Sequence, residues 1–385
     1  MRRLILSMLA LGLVLSGCST EDAGPMPNVT TATAPGGSGG GGGSGGSGST
    51  TTTAPPATTT PPPTTAATTT TTVPPVETGS RDDPLPAGAP VEVGNWQVMV
   101  LSSNRDATEA VLAENPFNDP PNPGDVFTTV LVAITYLGEE SESPFLGLTF
   151  GAVGPSGGDY GLEDDCGVIP DSYPGFTDVF PGGTVVGNLC WAIPETEAGR
   201  LVLTAEAAFT FDTDRFFLEI PVEGMVFEAP PSLGIVTPGG LPGSRGNPIP
   251  AGQGASVGSW QIEVVGSTPD GTDAVLAANQ FNDPPPEGRS YYLVRIRATN
   301  RSIETETPFA AMTFSAVGPS AVAYGFGDDC GVAPDAFPDL ESVFAGESVE
   351  GNLCWSVTSE DAAALLVIAT PSFSAESERV FFEIP

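Results

Sequence analysis

The chain has 385 residues, with 47 acidic side chains against 12 basic ones, all of them arginine, and a formal net charge of −35. Such a surface repels nucleic acid and anionic headgroups, and the acidity reads as solubility or a salty habitat ahead of an acidic docking site. With neither histidine nor lysine present, Ser-His-Asp triads, His-ligated zinc, Schiff bases and phosphate-loop lysines are excluded, which leaves carboxylate chemistry or a hard-cation site.

The N-terminus begins with the basic Met1-Arg2-Arg3 and a mostly apolar run from Leu4 to Leu15. That run has the length of a signal-peptide core and is too short to span a bilayer. Leu15-Ser16-Gly17-Cys18 follows. Here the chain resembles bacterial lipoprotein precursors, whose lipobox carries a cysteine at the cleavage site. The resemblance implies a signal peptide over residues 1–17 and a diacylglycerol on Cys18. It also implies a protein anchored to the cell membrane and facing the extracytoplasmic side. The alternative is an ordinary secretory signal with a chance cysteine. A lipidated Cys18 accounts for the odd total of five cysteines and leaves four to pair.

Residues 18–80 read as a disordered tether. Gly36 to Ser49 is nearly all Gly and Ser, and Thr50 to Val76 is Thr, Pro and Ala with almost no charge. Neither stretch has the apolar content to bury a core. The Pro-rich part reaches roughly 80 Å at about 3 Å per residue, and its threonines are candidate glycosylation positions.

Beyond the tether the chain repeats itself. Asp164-Asp165-Cys166-Gly167-Val168 and Gly187-Asn188-Leu189-Cys190-Trp191 recur 164 residues later, at Asp328 to Val332 and Gly351 to Trp355. Residues 81–221 and 245–385 align end to end without a gap, as expected of a tandem duplication of a whole domain. The second domain is taken to begin at Ser244, and residues 222–243 form a linker whose apolar residues are expected to lie partly on a domain surface. The first copy carries 4 arginines and 23 acids, the second 6 and 19.

Within each copy the pattern is of strands. In the first these are Val91–Val93, Trp96–Val100, Val126–Tyr136, Phe145–Val153, Val185–Ile193, Leu201–Phe209 and Arg215–Ile220. A short helix is expected at Asp106–Glu114 and again at Asp270–Ala278, with Asp106 and Glu109 at capping-box spacing. Seven or eight short strands with Gly/Pro turns in about 140 residues indicate an all-β fold, two tandem β-sandwiches.

Four groups of residues carry candidate roles. Cys166 with Cys190, and Cys330 with Cys354, are expected to be disulfides in an oxidising compartment, since no C-x-x-C spacing or adjacent base suggests redox thiols. Trp191 and Trp355 follow a disulfide cysteine in a strand, so indole and sulfur point to opposite faces. An exposed indole would be a ligand platform; the alternative is a ring covered by the preceding loop. Clustered loop carboxylates suit Ca²⁺, so the candidate cation ligands are Asp119, Asp164, Asp165 and Asp171, with Asp283, Asp328, Asp329 and Asp335 in the second copy. Asn118-Asp119-Pro120-Pro121 also fits simple turn initiation. Arg295 and Arg297 share a strand face, which suits cross-strand pairing with acids or docking against the first copy.

On the Gly-x-Trp, Asn-Asp-Pro-Pro-x-x-Gly, Asp-Asp-Cys-Gly-Val and Gly-Asn-Leu-Cys-Trp landmarks, each copy resembles a family of bacterial extracytoplasmic domains of unknown function. Its plan is similar to that of the mycobacterial immunoprotective extracellular protein and its immunoglobulin-like relatives. The resemblance implies an immunoglobulin-like sandwich and no catalytic residue. The order Trp, Cys, Cys-Trp differs from the antibody order. The functional expectation is a non-enzymatic surface lipoprotein, without cofactor unless Ca²⁺ binds. It would display two modules for binding a cell-wall glycan or protein, or for an envelope structural role. The alternatives are a calcium-dependent spacer and a glycan-acting enzyme using paired carboxylates.

Overall fold

A computed structural model describes residues 79–161, 164–209, 215–372 and 378–385. The signal peptide, Cys18 and almost all of the tether lie outside them. The alternating residues of the first copy form eight strands: β1 (Val91–Val93), β2 (Trp96–Asn104), β3 (Asp125–Tyr136), β4 (Leu148–Val153), β5 (Asp159–Tyr160), β6 (Thr184–Pro194), β7 (Val202–Ala207) and β8 (Phe216–Glu219). The second copy repeats them as β9 (Gly254–Val257), β10 (Trp260–Thr268), β11 (Arg289–Asn300), β12 (Met312–Val317), β13 (Ala323–Tyr324), β14 (Ser348–Thr358), β15 (Leu366–Pro371) and β16 (Val380–Glu383). Each module stacks two four-stranded antiparallel sheets, ordered β1-β2-β3-β6 and β5-β4-β7-β8 in module 1. In module 2 the orders are β9-β10-β11-β14 and β13-β12-β15-β16. Both modules fall within one compact unit, Thr72–Pro385.

Alternation decides what each sandwich buries. On β2, Trp96, Val98 and Val100 point into the core at 0–1% exposure, against Val130, Val132 and Ile134 of β3. Leu203, Ala205 and Leu218 answer from the opposite sheet. Each fully buried Val, Ile or Leu contributes about 1.5–3 kcal/mol. Central strand β3 is buried on both faces, because a short helix, α1 (Thr108–Glu114), covers its outer side.

Local details differ from the pattern in three places. Helix α1 starts at Thr108, two residues later than the expected span Asp106–Glu114. Asp106 instead accepts a hydrogen bond from the Thr108 N–H at 3.2 Å, a turn ahead of an uncapped helix. Phe145 is not in a strand: Pro144–Gly147 is a single helical turn with proline at its first position, which places β4 three residues later. The two-residue strands β5 and β13 are too short to show a period.

Trp96 and Trp260 each have a polar anchor. The Trp96 indole N–H donates to the Glu142 carboxylate at 2.7 Å, and Trp260 to Glu306 at 3.0 Å. The acids come from the loops after β3 and β11, so the contact pins a loop to the core and satisfies a buried donor.

Candidate functional site

The repeated cysteine segments close as expected: Cys166–Cys190 and Cys330–Cys354 are disulfides with Cα atoms 5.8 and 5.7 Å apart. Each bridge lies outside the sandwich, under the short helix; Cys166 packs with Ala107, Val111, Phe127 and Ile169. Asn118 is the second fastener of this loop. Its amide donates to Val111 O at 2.7 Å and Val168 O at 2.6 Å, and its oxygen accepts from the Val168 N–H at 3.0 Å. Asn282 does the same in module 2. The Asn-Asp-Pro-Pro motif thus serves through its asparagine. Gly167 follows with φ +76°, a conformation suited to glycine, and its N–H caps Asp165.

Cysteine and tryptophan do point to opposite faces, but the tryptophan is the inward one. Trp191 and Trp355 are each 4% exposed and belong to the main cores, so neither is an exposed platform. The helix and the disulfide loop occupy the outer face, which leaves the inter-sheet space to the indole. Beside Trp191 is a cavity of about 380 Å³, also lined by Phe150, Tyr173, Cys190 and Phe209. The Tyr173 hydroxyl is buried and has no protein partner among the described residues, and burial raises its pKa. Module 2 has Phe337 there, edge-on to Phe314 at the same 5.7 Å that separates Tyr173 from Phe150. Tyr173→Phe is therefore expected to stabilise the protein by about 1 kcal/mol in urea melts; a loss of that size would show that the hydroxyl has a partner.

The eight aspartates do not converge. Among the described residues no group of three or more His, Cys, Asp or Glu is placed to hold a metal. Asp164 and Asp165 accept from the N–H groups of Gly161 and Gly167, both at 2.9 Å. Asp329 accepts from Gly331, and Asp328 accepts from Gly325 and pairs with Arg289 at 3.0 Å. Asp171 and Asp335 occupy tight turns at φ 45°, and their backbone oxygens accept from Asn188 and Asn352. Asp119 and Asp283 sit in the loop before β3 and β11; the Asp283 carbonyl accepts from the Tyr291 hydroxyl at 2.7 Å.

Arg295 and Arg297 pair within module 2. Arg295 reaches Glu350 at 2.7 Å, and Arg297 reaches Glu263 at 2.9 Å and Glu350 at 3.0 Å. Arg297 is directly opposite both acids across the ladder. This is cross-strand pairing, and docking on module 1 is set aside. The hydrogen bond from Arg295, then that from Arg297, holds the Glu350 carboxyl below the usual range. A lowered carboxylate pKa adds stability above the unfolded value and loses it as pH falls through the folded one. The group is exposed, so Glu350→Gln is expected to flatten the acid limb of a pH–stability curve by less than about 1 kcal/mol, and less still in high salt.

The modules meet at a joint that sequence reasoning did not anticipate. The loop before β6 carries Asp178-Val179-Phe180 into module 2, where Val179 bridges Val322. The Phe180 N–H donates to Ala321 O at 2.8 Å, and the Ala323 N–H to Asp178 O at 2.9 Å. The Phe180 ring is 5% exposed in a pocket of Val317, Ala321, Ala323, Ile368 and Phe381. Two guanidinium groups flank it, Arg245 at 4.9 Å and Arg379 at 5.5 Å from the ring centroid. Arg379 also crosses the joint to Ser141 at 2.6 Å and Asp178 at 3.4 Å. Burial pulls the Arg245 guanidinium down to about 10 against the opposing field of Asp361. Asp361 is fully buried and accepts from Ser320 and Tyr324. Burial first, then this hydrogen bond, pushes Tyr324 up to about 12.

The linker completes the joint and is held on module 1 by backbone hydrogen bonds, while most of its apolar side chains, among them Val226, Leu233 and Ile235, stay exposed rather than lying on the surface as expected. Phe227 N–H donates to Leu101 O, and Leu233 and Ile235 donate to Gly182 and Pro181. Ser232 bridges Thr184 N–H to Ser320 O. Linker and modules together border an open cleft of about 950 Å³, lined by apolar Leu137, Ile235 and Leu241, acidic Glu139 and Glu140, and Arg245 and Arg379. Apolar walls with a few charged groups between two domains are the usual setting of a ligand site. The one signal for the joint in the sequence is the retention of Arg81/Arg245 and Arg215/Arg379.

No family model matches the chain, and no curated protein does. Among solved structures it is similar to a conserved hypothetical protein from Bacillus anthracis, at 10% identity and TM-score 0.22, over 35% of this chain and 95% of that one. It is also similar to an uncharacterized β-sandwich protein from Clostridium difficile 630, at 14% identity and TM-score 0.25, over 35% and 93% of the respective chains. Among the described residues no helix is long and apolar enough to cross a membrane. The two disulfides suggest an extracytoplasmic location.

Proposed function

We propose that this chain is a lipid-anchored surface protein that holds a ligand, without catalysis, in the cleft between its two sandwich modules. The observation that carries the reading is the cleft itself, about 950 Å³ and built jointly by module 1, the linker and module 2. Its composition suits an apolar ligand with a charged or hydrogen-bonding end, such as a segment of a cell-wall glycolipid or an extended peptide. Support for display comes from the lipobox at Cys18 and from the resemblance of each module to extracytoplasmic immunoglobulin-like domains of unknown function; a composition without lysine or histidine supports a role without catalysis.

The test is co-sedimentation of the purified protein with cell-wall material from the source organism, alongside Leu241→Arg, which places charge in the cleft from an exposed linker position. Binding by the parent and its loss in Leu241→Arg is the expected result. Equal binding by both, or by neither, overturns the reading. Cys18→Ser is expected to move the protein from the membrane fraction to the medium. Calcium is expected to leave the melting temperature unchanged, because the loop carboxylates of Asp164, Asp165, Asp328 and Asp329 already accept backbone N–H groups. A rise in melting temperature with calcium would favour a cation-dependent spacer.

A further inference from the structure

The joint between the modules is heterologous: one face supplies the Phe180 plug and a different face supplies the socket. Duplicating such a module leaves an unused socket at one end of the product and an unused plug at the other, and interfaces of this kind grow into open chains unless something stops them. We propose that the protein has closed its two outer faces by substitution, so that the joint forms once, within the chain, and a second copy is shut out.

The socket of module 1 carries polar groups at two of its five positions and keeps Val153, Gly157 and Phe217 at the others. Ala323 and Ile368, which line the Phe180 pocket in module 2, stand where module 1 has Asp159 and Thr204. Asp159 pairs with Arg215 at 2.8 Å, and Arg215 also pairs with Glu206. The equivalent arginine of module 2, Arg379, takes a carboxylate from across the joint, Asp178. The same arginine thus meets carboxylates of its own module in module 1 and takes one from the docked neighbour in module 2. A phenylalanine arriving at module 1 would have to strip water from a completed ion pair.

The plug of module 2 is disarmed in a complementary way. Phe344 matches Phe180 but is 69% exposed. Asp178 is replaced by Ser342, which removes the carboxylate for the socket arginine. Gly183 is replaced by Glu347. At Gly183 an added Cβ would lie 2.7 Å from Ala321 O across the joint and 2.7 Å from Val179 Cγ1 of its own loop, so a side chain there needs the loop to shift and, in the docked position, meets the facing carbonyl. Within the chain, the linker supplies a high effective concentration of plug at socket, and the unmodified pair docks.

Sedimentation velocity of the full chain, prepared with Cys18→Ser, tests this with two half-repaired variants. One restores the socket (Asp159→Ala with Thr204→Ile); the other restores the plug (Ser342→Asp with Glu347→Gly). The parent and each half-repaired variant alone should sediment as monomers at every concentration. Mixing the two variants should give 1:1 dimers, and the full fourfold variant should give longer chains as concentration rises. Adding Phe344→Asp should return all of these to monomer. Self-association of the parent that Phe344→Asp abolishes would overturn the proposal. So would a mixture, with parental melting and near-UV circular dichroism in both variants, that stays monomeric at the highest concentration reached.

Discussion

Phe180→Ala splits the unfolding of the two modules into separate transitions. The ring fills a socket otherwise lined by Val317, Ala321, Ala323, Ile368 and Phe381. Truncating a buried phenylalanine costs about 3–5 kcal/mol when the surroundings do not collapse. Here the cost falls on the joint, because each sandwich keeps its own core. Arg245 loses its ring contact and keeps a buried charge held by Gly318 O and the field of Asp361. Calorimetry should show module 2 melting first, and solution scattering should show a longer maximum dimension. An unchanged melting profile with unchanged scattering would show that the linker and Arg379 hold the modules without the ring.

Removing one disulfide, by Cys330→Ser with Cys354→Ser, should lower the stability of module 2 by about 4 kcal/mol. The sequence separation is 24, and the chain-entropy model gives roughly 3.5 kcal/mol for such a loop. The lost packing of Cys330 on Val275, Tyr291 and Leu293 adds to this. Asn282 still fastens the loop through three hydrogen bonds, so the fold should survive. Adding Asn282→Ala should then cost more than it does with the bridge intact, because each fastener limits what the other has to hold. Urea melts of the three variants measure this; a loss below about 1 kcal/mol on removing the bridge would mean that the loop is ordered without its sulfurs.

The strands were legible because their period of two is local and the duplication repeats it. The cysteine pairing was legible for the same reason: two copies at one offset leave four cysteines in two matched pairs. Helix α1 was legible, but its start was not, since Asp106 serves a turn before the helix equally well. The core anchors Glu142 and Glu306 carry no local mark that separates them from the surface acids around them; their recurrence at one offset is the usable signal. The carboxylates of the Asp-Asp-Cys-Gly segments suggested a cation site, and it is backbone N–H groups in tight turns that take them up.

Alternation along β6 sets Cys190 and Trp191 on opposite faces, and the sequence alone determined that, together with the sandwich class, the repeat and the bridges. Which of the two faces the core was decided only by the tertiary structure. That choice depends on what covers each side of the sheet, here α1 outside and β7 inside, and those partners are far apart in the chain. The joint between the modules belongs to the same category. Phe180 and Phe344 hold the same place in the two copies, yet one is a buried plug and the other an exposed ring, because burial depends on a complementary face elsewhere in the chain, which no local pattern around either ring reveals.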